Sequence, residues 1–280
     1  MKLVFVADFF VEDGLLGGGE LNNKEFIELV SPKVSEIKRV KSQFVDDKFI
    51  RKHKNHIFIV SNFVLLPHGS LDLIRNNVGY AIYEHDHKYL RTRNPAFFEN
   101  FKAPRDQIVN YEFYKNAVAV FCQSSFHSDI VRLNLDLDNI INLSGNLWSM
   151  DSIENLEMIS KLEKEDKCSI LDSEISHKNT LEAVLYCRHK KYQYDLVKSN
   201  SYHEFLRKLG KNERLVFFPK TPETLSRIVV EARMMGMSII TNNLVGATKE
   251  PWFEKKGEDL VQVIKNKREE IPNQVLGCFR

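Results

Sequence analysis

Short runs of apolar, β-branched and aromatic residues recur along this chain, and longer helical or irregular segments separate them. In the first half they fall at residues 2–7 (Lys-Leu-Val-Phe-Val-Ala), 56–60, 78–83 and 117–121. In the second half they fall at 168–171, 184–186, 215–218 and 238–241. A continuous apolar run marks a strand covered on both faces, and strands alternating with helices build a parallel sheet between helical layers. Helices are expected at 20–30, where Leu21, Phe26, Ile27 and Val30 share a face, and at 178–185, 201–209, 222–235 and 259–267. The polar stretch 151–166, with Ile153, Leu156, Ile159 and Leu162 at every third position, reads as an exposed connector. The fold class is therefore α/β, with two facing Rossmann-like domains at 1–148 and 149–280 and a cleft between them.

The 280 residues carry 40 Lys and Arg against 38 Asp and Glu, a net charge of +2, with 43% hydrophobic and 11% aromatic residues. That excludes a polycation, an acidic tail and a disordered chain, and it suffices for a sizeable core. The opening apolar run stops at Asp8, and no stretch reaches the length of a membrane span, so a cytosolic protein is expected. Cys122, Cys168, Cys187 and Cys278 lack zinc or disulfide spacing and read as reduced thiols.

Residues 215–246 read as strand, turn, helix and strand. Thr221 suits an N-cap and Pro222 a first helical position, so residues 223–227 would offer free backbone N–H groups and the positive end of a helix dipole to an anion. Tyr83-Glu-His-Asp-His-Lys88 follows a strand, and carboxyl strand ends are where open α/β sheets place ligand groups. Gly17-Gly-Gly-Glu20, in the loop from Gly14 to Gly19, follows the first strand and would let a ligand approach the backbone closely. The loop lacks the spacing of the dinucleotide fingerprint, which disfavours a nicotinamide dehydrogenase.

Glu223 and Glu231, set between Phe218-Pro219 and Gly236, have the Glu-x7-Glu spacing of glycosyltransferase family 4, a family of GT-B fold, which this chain resembles. The Gly-Gly-x-Glu at 17–20 is similar to the opening of that family's N-terminal domain. The resemblance implies a retaining glycosyltransferase that uses a nucleotide-diphosphate sugar and no metal. It assigns Glu223 and His85 to the donor sugar, facing it from opposite domains, with His87 as the alternative histidine. Glu231 would take the ribose. The amides of Thr224, Leu225 and Ser226 would hold the diphosphate together with Lys178, with Arg227 or Arg188 as a second cation and Gly18 and Gly19 close by. Glu20, His87, Lys88 and Arg91 fall on the acceptor side. Two departures stand out: Thr224 and Ser226 replace the usual glycines, and the Gly-Arg that commonly precedes the basic residue is missing.

Alternatives stay open. His85, Asp86 and His87 could share a metal in an extended loop. Residues 33–56 and 87–105 are rich in Lys and Arg, the second stretch interleaved with Tyr89, Phe97, Phe98 and Phe101. Such stretches suit a solvated face, a phosphate-bearing or lipid-linked acceptor, a peripheral membrane contact, or modified DNA. A catalytically silent nucleotide-sugar or glycan-binding protein, and an epimerase or phosphorylase of the same fold, are the remaining rivals.

Overall fold

The computed structural model describes residues 1–14 and 17–280, so Leu15 and Leu16 of the glycine-rich loop lie outside the described residues. The chain divides into two compact units, one of residues 1–147 and 268–280, the other of residues 148–267. Residues 268–280 thus group with the first unit, where the sequence reading placed them in the second domain.

The first unit holds β1 (Lys2–Ala7), α1 (Gly18–Val30), β2 (Glu36–Lys41), α2 (Asp47–Lys52), β3 (Ile57–Val60), α3 (Ser70–Asn77), β4 (Tyr80–Tyr83), α4 (Tyr111–Lys115), β5 (Val120–Cys122), α5 (Ser125–Leu135) and β6 (Ile140–Asn142). Its six strands are parallel in the order β2-β1-β3-β4-β5-β6, with Val6 of β1 opposite both Val40 and Val60. Successive side chains of a strand point to opposite faces. Leu3, Phe5 and Ala7 accordingly join a core with Phe26 of α1 and with Ile271 and Val275, whereas Val4 and Val6 join one with Ile50 of α2 and Ile74 of α3. Burial on both faces is why β1 reads as an unbroken apolar run.

The second unit holds α6 (Met150–Ser160), β7 (Glu165–Leu171), α7 (Thr180–Lys190), β8 (Tyr194–Val197), α8 (Tyr202–Leu209), β9 (Asn212–Phe217), α9 (Arg227–Met234), β10 (Ser238–Thr241) and the first turns of α10 (Glu258–Gly277). Its four parallel strands run β10-β9-β7-β8. Leu215 and Phe217 of β9 pack with α6, α8 and α9, while Val216 turns to Ala183 and Cys187 of α7. All four cysteines are free thiols.

Three expectations are corrected here. Residues 151–160 are no exposed connector: Ser149 caps α6 by accepting the Ser152 N–H, and Ile153, Leu156 and Ile159 are buried in the second core. A spacing of three is also the spacing of one helix face, which a folded core covers. Residues 184–186 form no strand but lie within α7. The helix expected from Pro222 starts only at Arg227.

Candidate functional site

In an open parallel sheet the ligand crevice opens at the carboxyl ends of two adjacent strands whose connections leave in opposite directions. In the second unit that point lies between β7 and β9, and it brings together the loops at 172–179 and 218–226. There the Lys178 ammonium donates to Glu223 Oε1 at 2.7 Å, with the Phe217 ring 5.8 Å from the same nitrogen. The sequence reading named both residues, and the structure brings them together.

Backbone bonds hold this junction from both sides. The Lys220 N–H donates to the His177 carbonyl at 2.9 Å, and Asn179 Nδ2 donates to the Phe218 carbonyl at 2.9 Å. On the other side the Glu223 N–H donates to the Leu244 carbonyl at 2.8 Å, and its own carbonyl accepts the Gly246 N–H at 2.9 Å. Glu223 thus forms a parallel bridge with Val245 and stays extended rather than helical. This pairing, with Ala247 N–H to the Leu225 carbonyl, is the physical reason the helix is delayed.

Ser226 is the N-cap of α9 and has φ +76, a left-handed backbone that favours glycine. From sequence, a serine here replaces the glycine usual in the resembled family, and the backbone takes a conformation that glycine adopts more readily. Its buried Oγ has no hydrogen-bond partner. The amides of residues 224–226 therefore belong to an extended turn leading into the helix, not to the first helical turn.

Glu231 sits one turn into α9 and is 3% exposed. Its Oε1 accepts from Trp148 Nε1 at 2.9 Å and from Tyr202 hydroxyl at 2.6 Å, with Arg227 Nε at 3.4 Å. The Arg227 guanidinium lies over the Trp148 ring, 4.2 Å from its centre. A carboxylate packed in this way anchors α9, a role different from the ribose contact that the resemblance implies. Arg188 lies near the end of α7, bonded to Tyr194 hydroxyl at 3.3 Å. It is about 12 Å along the helix from Thr180 and so is no second cation for Lys178.

In the first unit the carboxyl ends of four strands are linked by side chains. Asn146 Nδ2 donates to Gln123 Oε1 at 3.2 Å, Gln123 Nε2 bonds His85 Nδ1, and His85 Nε2 bonds Asn23 Oδ1 at 2.7 Å. Ser61 hydroxyl completes the row on Asn23 Oδ1 at 3.0 Å. Donation by the Gln123 amide to Nδ1 fixes His85 as the neutral tautomer that carries its proton on Nε2. The ring stacks on Tyr83, and a Cβ at Gly19 would lie 3.6 Å from its Cγ, so the start of α1 and His85 adjoin as the sequence suggested. Gly18 begins α1 and is exposed, and Glu20 follows in its first turn, half-buried.

The residues after His85 turn inward. His87 is 3% exposed, bonded through Nδ1 to Tyr89 hydroxyl at 3.0 Å and packed against His127, and burial pushes its ring down to about 4. It is a core residue, which corrects its acceptor-side assignment. Lys88 is equally buried and donates to Glu84 Oε1 and Asp86 Oδ1, each at 2.6 Å. Burial pushes the Glu84 carboxyl up to about 7 against the pull of that ammonium, and Tyr114 hydroxyl donates to its other oxygen. Arg91 is exposed. Among the described residues no three His, Cys, Asp or Glu side chains are grouped to hold a metal ion, and His85, Asp86 and His87 form no such group. Nor is any described helix long and apolar enough to cross a membrane.

Sequence reasoning missed Asp8, at the end of β1. Its carboxylate accepts the Val64 and Leu65 N–H groups, each at 3.1 Å, and the Ser42 hydroxyl, tying together the loops after β1, β2 and β3. It missed Asn23, Gln123, Trp148 and Tyr202 as well. The one signal for Asp8 was its place, the first charge after a buried strand.

No family model matches the sequence, and no curated protein matches it. Among solved structures the chain is similar to Anabaena HepE in complex with UDP and glucose, at a TM-score of 0.54 and 11% identity over 98% of this chain and 91% of that one. HepE in complex with UDP-glucose gives a TM-score of 0.51 and 10% identity over the same shares. The lipopolysaccharide outer core galactosyltransferase WaaB, in its apo form, gives 0.55 and 11% over 99% of each chain. At such identities the likeness is one of fold, and the fold is α/β of the GT-B type, with two Rossmann-like units.

Proposed function

We propose that the chain is a glycosyltransferase that moves a sugar from a nucleotide-diphosphate donor to a hydroxyl acceptor with retention of configuration. The observation that carries this reading is the meeting of Lys178 and Glu223 at the crevice between β7 and β9. The UDP and UDP-glucose held by the similarly folded HepE make uridine nucleotides the first probes.

In this reading the Lys178 ammonium and the amides of Thr224, Leu225 and Ser226 hold the diphosphate, with Gly18 and Gly19 leaving room for the donor. A preorganised cation and oriented N–H groups stabilise charge that grows on a leaving phosphate. Glu223 accepts from the sugar hydroxyls. The bond from the anomeric carbon to the phosphate oxygen breaks with its electron pair on the diphosphate. The acceptor oxygen attacks from the same face, and its proton passes to that phosphate oxygen. His85 polarises a sugar hydroxyl after giving up one of its present partners. Glu231 and Arg227 position α9 and its preceding turn. Glu20 and Arg91 remain on the acceptor side, and no metal is required.

Titration calorimetry with UDP, UDP-glucose and other nucleotide sugars tests the donor, and release of free sugar tests turnover. Binding that Lys178→Ala weakens is the expected result. A chain that binds no nucleotide of the panel overturns the reading. Retained activity with EDTA is expected, and loss that a divalent ion restores overturns metal independence.

A second reading is a nucleotide-sugar-binding protein without turnover. The observation that favours it is the engagement of both His85 nitrogens by Asn23 and Gln123. Tight donor binding with no hydrolysis or transfer to any hydroxyl acceptor selects this reading over the first.

A further inference from the structure

The first unit contains a cavity of about 800 Å³ between the loop that follows β3, the start of α3 and the two strand-like segments around Leu90 and Val109. That is within the range of small-molecule sites, roughly 300–1,000 Å³. Phe63, Leu90 and Phe113, each almost wholly buried, reach its wall, and Leu66 and Leu71 add partly covered apolar surface. The lining is predominantly hydrocarbon.

Charge is distributed unevenly around it. On the wall formed by α3 and α4, Arg75 is held by Asp72 at 3.0 Å and stands 4.0 Å from Glu112, so that side is locally balanced. Lys88, Arg91 and Arg93 line it as well. Lys88 is spoken for by Glu84 and Asp86, and Arg93 reaches Asp86 only at 3.6 Å. Arg91 has no carboxylate partner among the described residues. An apolar chamber with an unneutralised guanidinium at one edge has a definite chemical preference: hydrocarbon inside, an anion at the mouth.

We propose that this cavity is a ligand site for an amphipathic anion, a molecule with an apolar chain or ring system ending in a phosphate or carboxylate, whose head meets Arg91 and Arg93. A neutral glycan would leave the chamber's apolar wall uncovered, and a bare inorganic anion would use only its rim. The site stands apart from the glycosyltransferase reading; a role for its ligand as acceptor would rest on that reading.

The test is titration calorimetry of the full chain, below micelle formation, with dodecyl phosphate, dodecanoate, dodecyltrimethylammonium and inorganic phosphate. The expected result is one saturable site for a dodecyl anion, at least tenfold tighter than for the cationic analogue or inorganic phosphate. Comparison of the two anions distinguishes a phosphate from a carboxylate head. Arg91→Glu/Arg93→Glu should weaken that site tenfold or more, and Leu71→Glu, checked by circular dichroism for folding, should do the same through the apolar wall. Equal affinity for anion and cation, or indifference to both variants, overturns the proposal. UDP titrated separately keeps the two readings apart: absent UDP binding with an intact dodecyl-anion site removes the donor reading alone, and the converse removes this one alone.

Discussion

The ammonium of Lys178 and the carboxylate of Glu223 lie 2.7 Å apart although 45 positions separate them in the chain. The order of the strands makes them neighbours: β7 and β9 are adjacent, and each residue follows the carboxyl end of one of them. In the donor reading the pair has two jobs. Lys178→Ala should weaken UDP affinity about tenfold, the scale of one charge-assisted hydrogen bond. Glu223→Gln should lower kcat on the order of 10²-fold with UDP affinity little changed, since the sugar contact matters in the transition state. Residues in direct contact couple, so the double variant should be non-additive. Near-normal turnover in both single variants would sink the site.

Glu231→Gln addresses a different question. Two donors, Trp148 Nε1 and the Tyr202 hydroxyl, converge on one oxygen of this buried carboxylate beside the Arg227 guanidinium, so loss of its charge removes that ion pair. Urea unfolding should show a loss of stability of about 1–3 kcal/mol, with UDP affinity of the folded protein unchanged. Weaker UDP binding at unaltered stability would return the ribose contact to Glu231.

Ser226 gives a test of backbone strain. Glycine there removes both the left-handed penalty, about 1–2 kcal/mol for a residue with a Cβ, and the buried unpartnered hydroxyl. Ser226→Gly should therefore raise the denaturation midpoint, while Ser226→Ala should gain only from the lost hydroxyl. If alanine equals glycine, the turn is not strained.

The pH dependence of stability follows from the buried groups around Lys88. Burial pushes His87 down to about 4 from an ordinary 6.5, and burial also lowers His127, so stability from these rings is full above 6.5 and is lost as pH falls through their folded values. Glu84 works in the other direction: raised by burial from 4.5 to about 7, it contributes below 4.5 and loses that contribution as pH rises through 7. Around Lys88 the two lowered imidazoles raise stability with pH between 4.5 and 6.5 and Glu84 opposes them, while His53 and His177, lowered by burial as well, act in the imidazole direction. Glu84→Gln should steepen the rise by about one proton, or about 1.4 kcal/mol per pH unit, read by urea titrations at pH 5 and 6. An unchanged slope would show that Glu84 titrates at its ordinary value.

Strands covered on both faces were legible from sequence, because nothing polar interrupts them: 2–7 matches β1, and 78–83 contains β4. The edge strands β2, Glu-Ile-Lys-Arg-Val-Lys, and β8, Tyr-Asp-Leu-Val, were not, since an exposed edge tolerates charge and loses the apolar signature. The onset of α9 was misread for a related reason. Thr221-Pro222 has the chemistry of a helix start, but pairing of Glu223 with Val245, far along the chain, overrides the local preference. At the site itself, Glu223 carried the Glu-x7-Glu spacing, and Lys178 was named by the resemblance without its usual Gly-Arg. Asn23 and Gln123 carried no motif, being recruited to His85 only by the sheet.

The segment 268–280 has a bearing on how the chain is made. Ile271, Val275 and Leu276 complete the core on the α1 face of the first sheet, yet the ribosome adds them only after the entire second unit. The first unit cannot finish folding in the order it is synthesised. Its sheet must wait with one face incompletely covered, a window in which exposed apolar surface favours aggregation over closure.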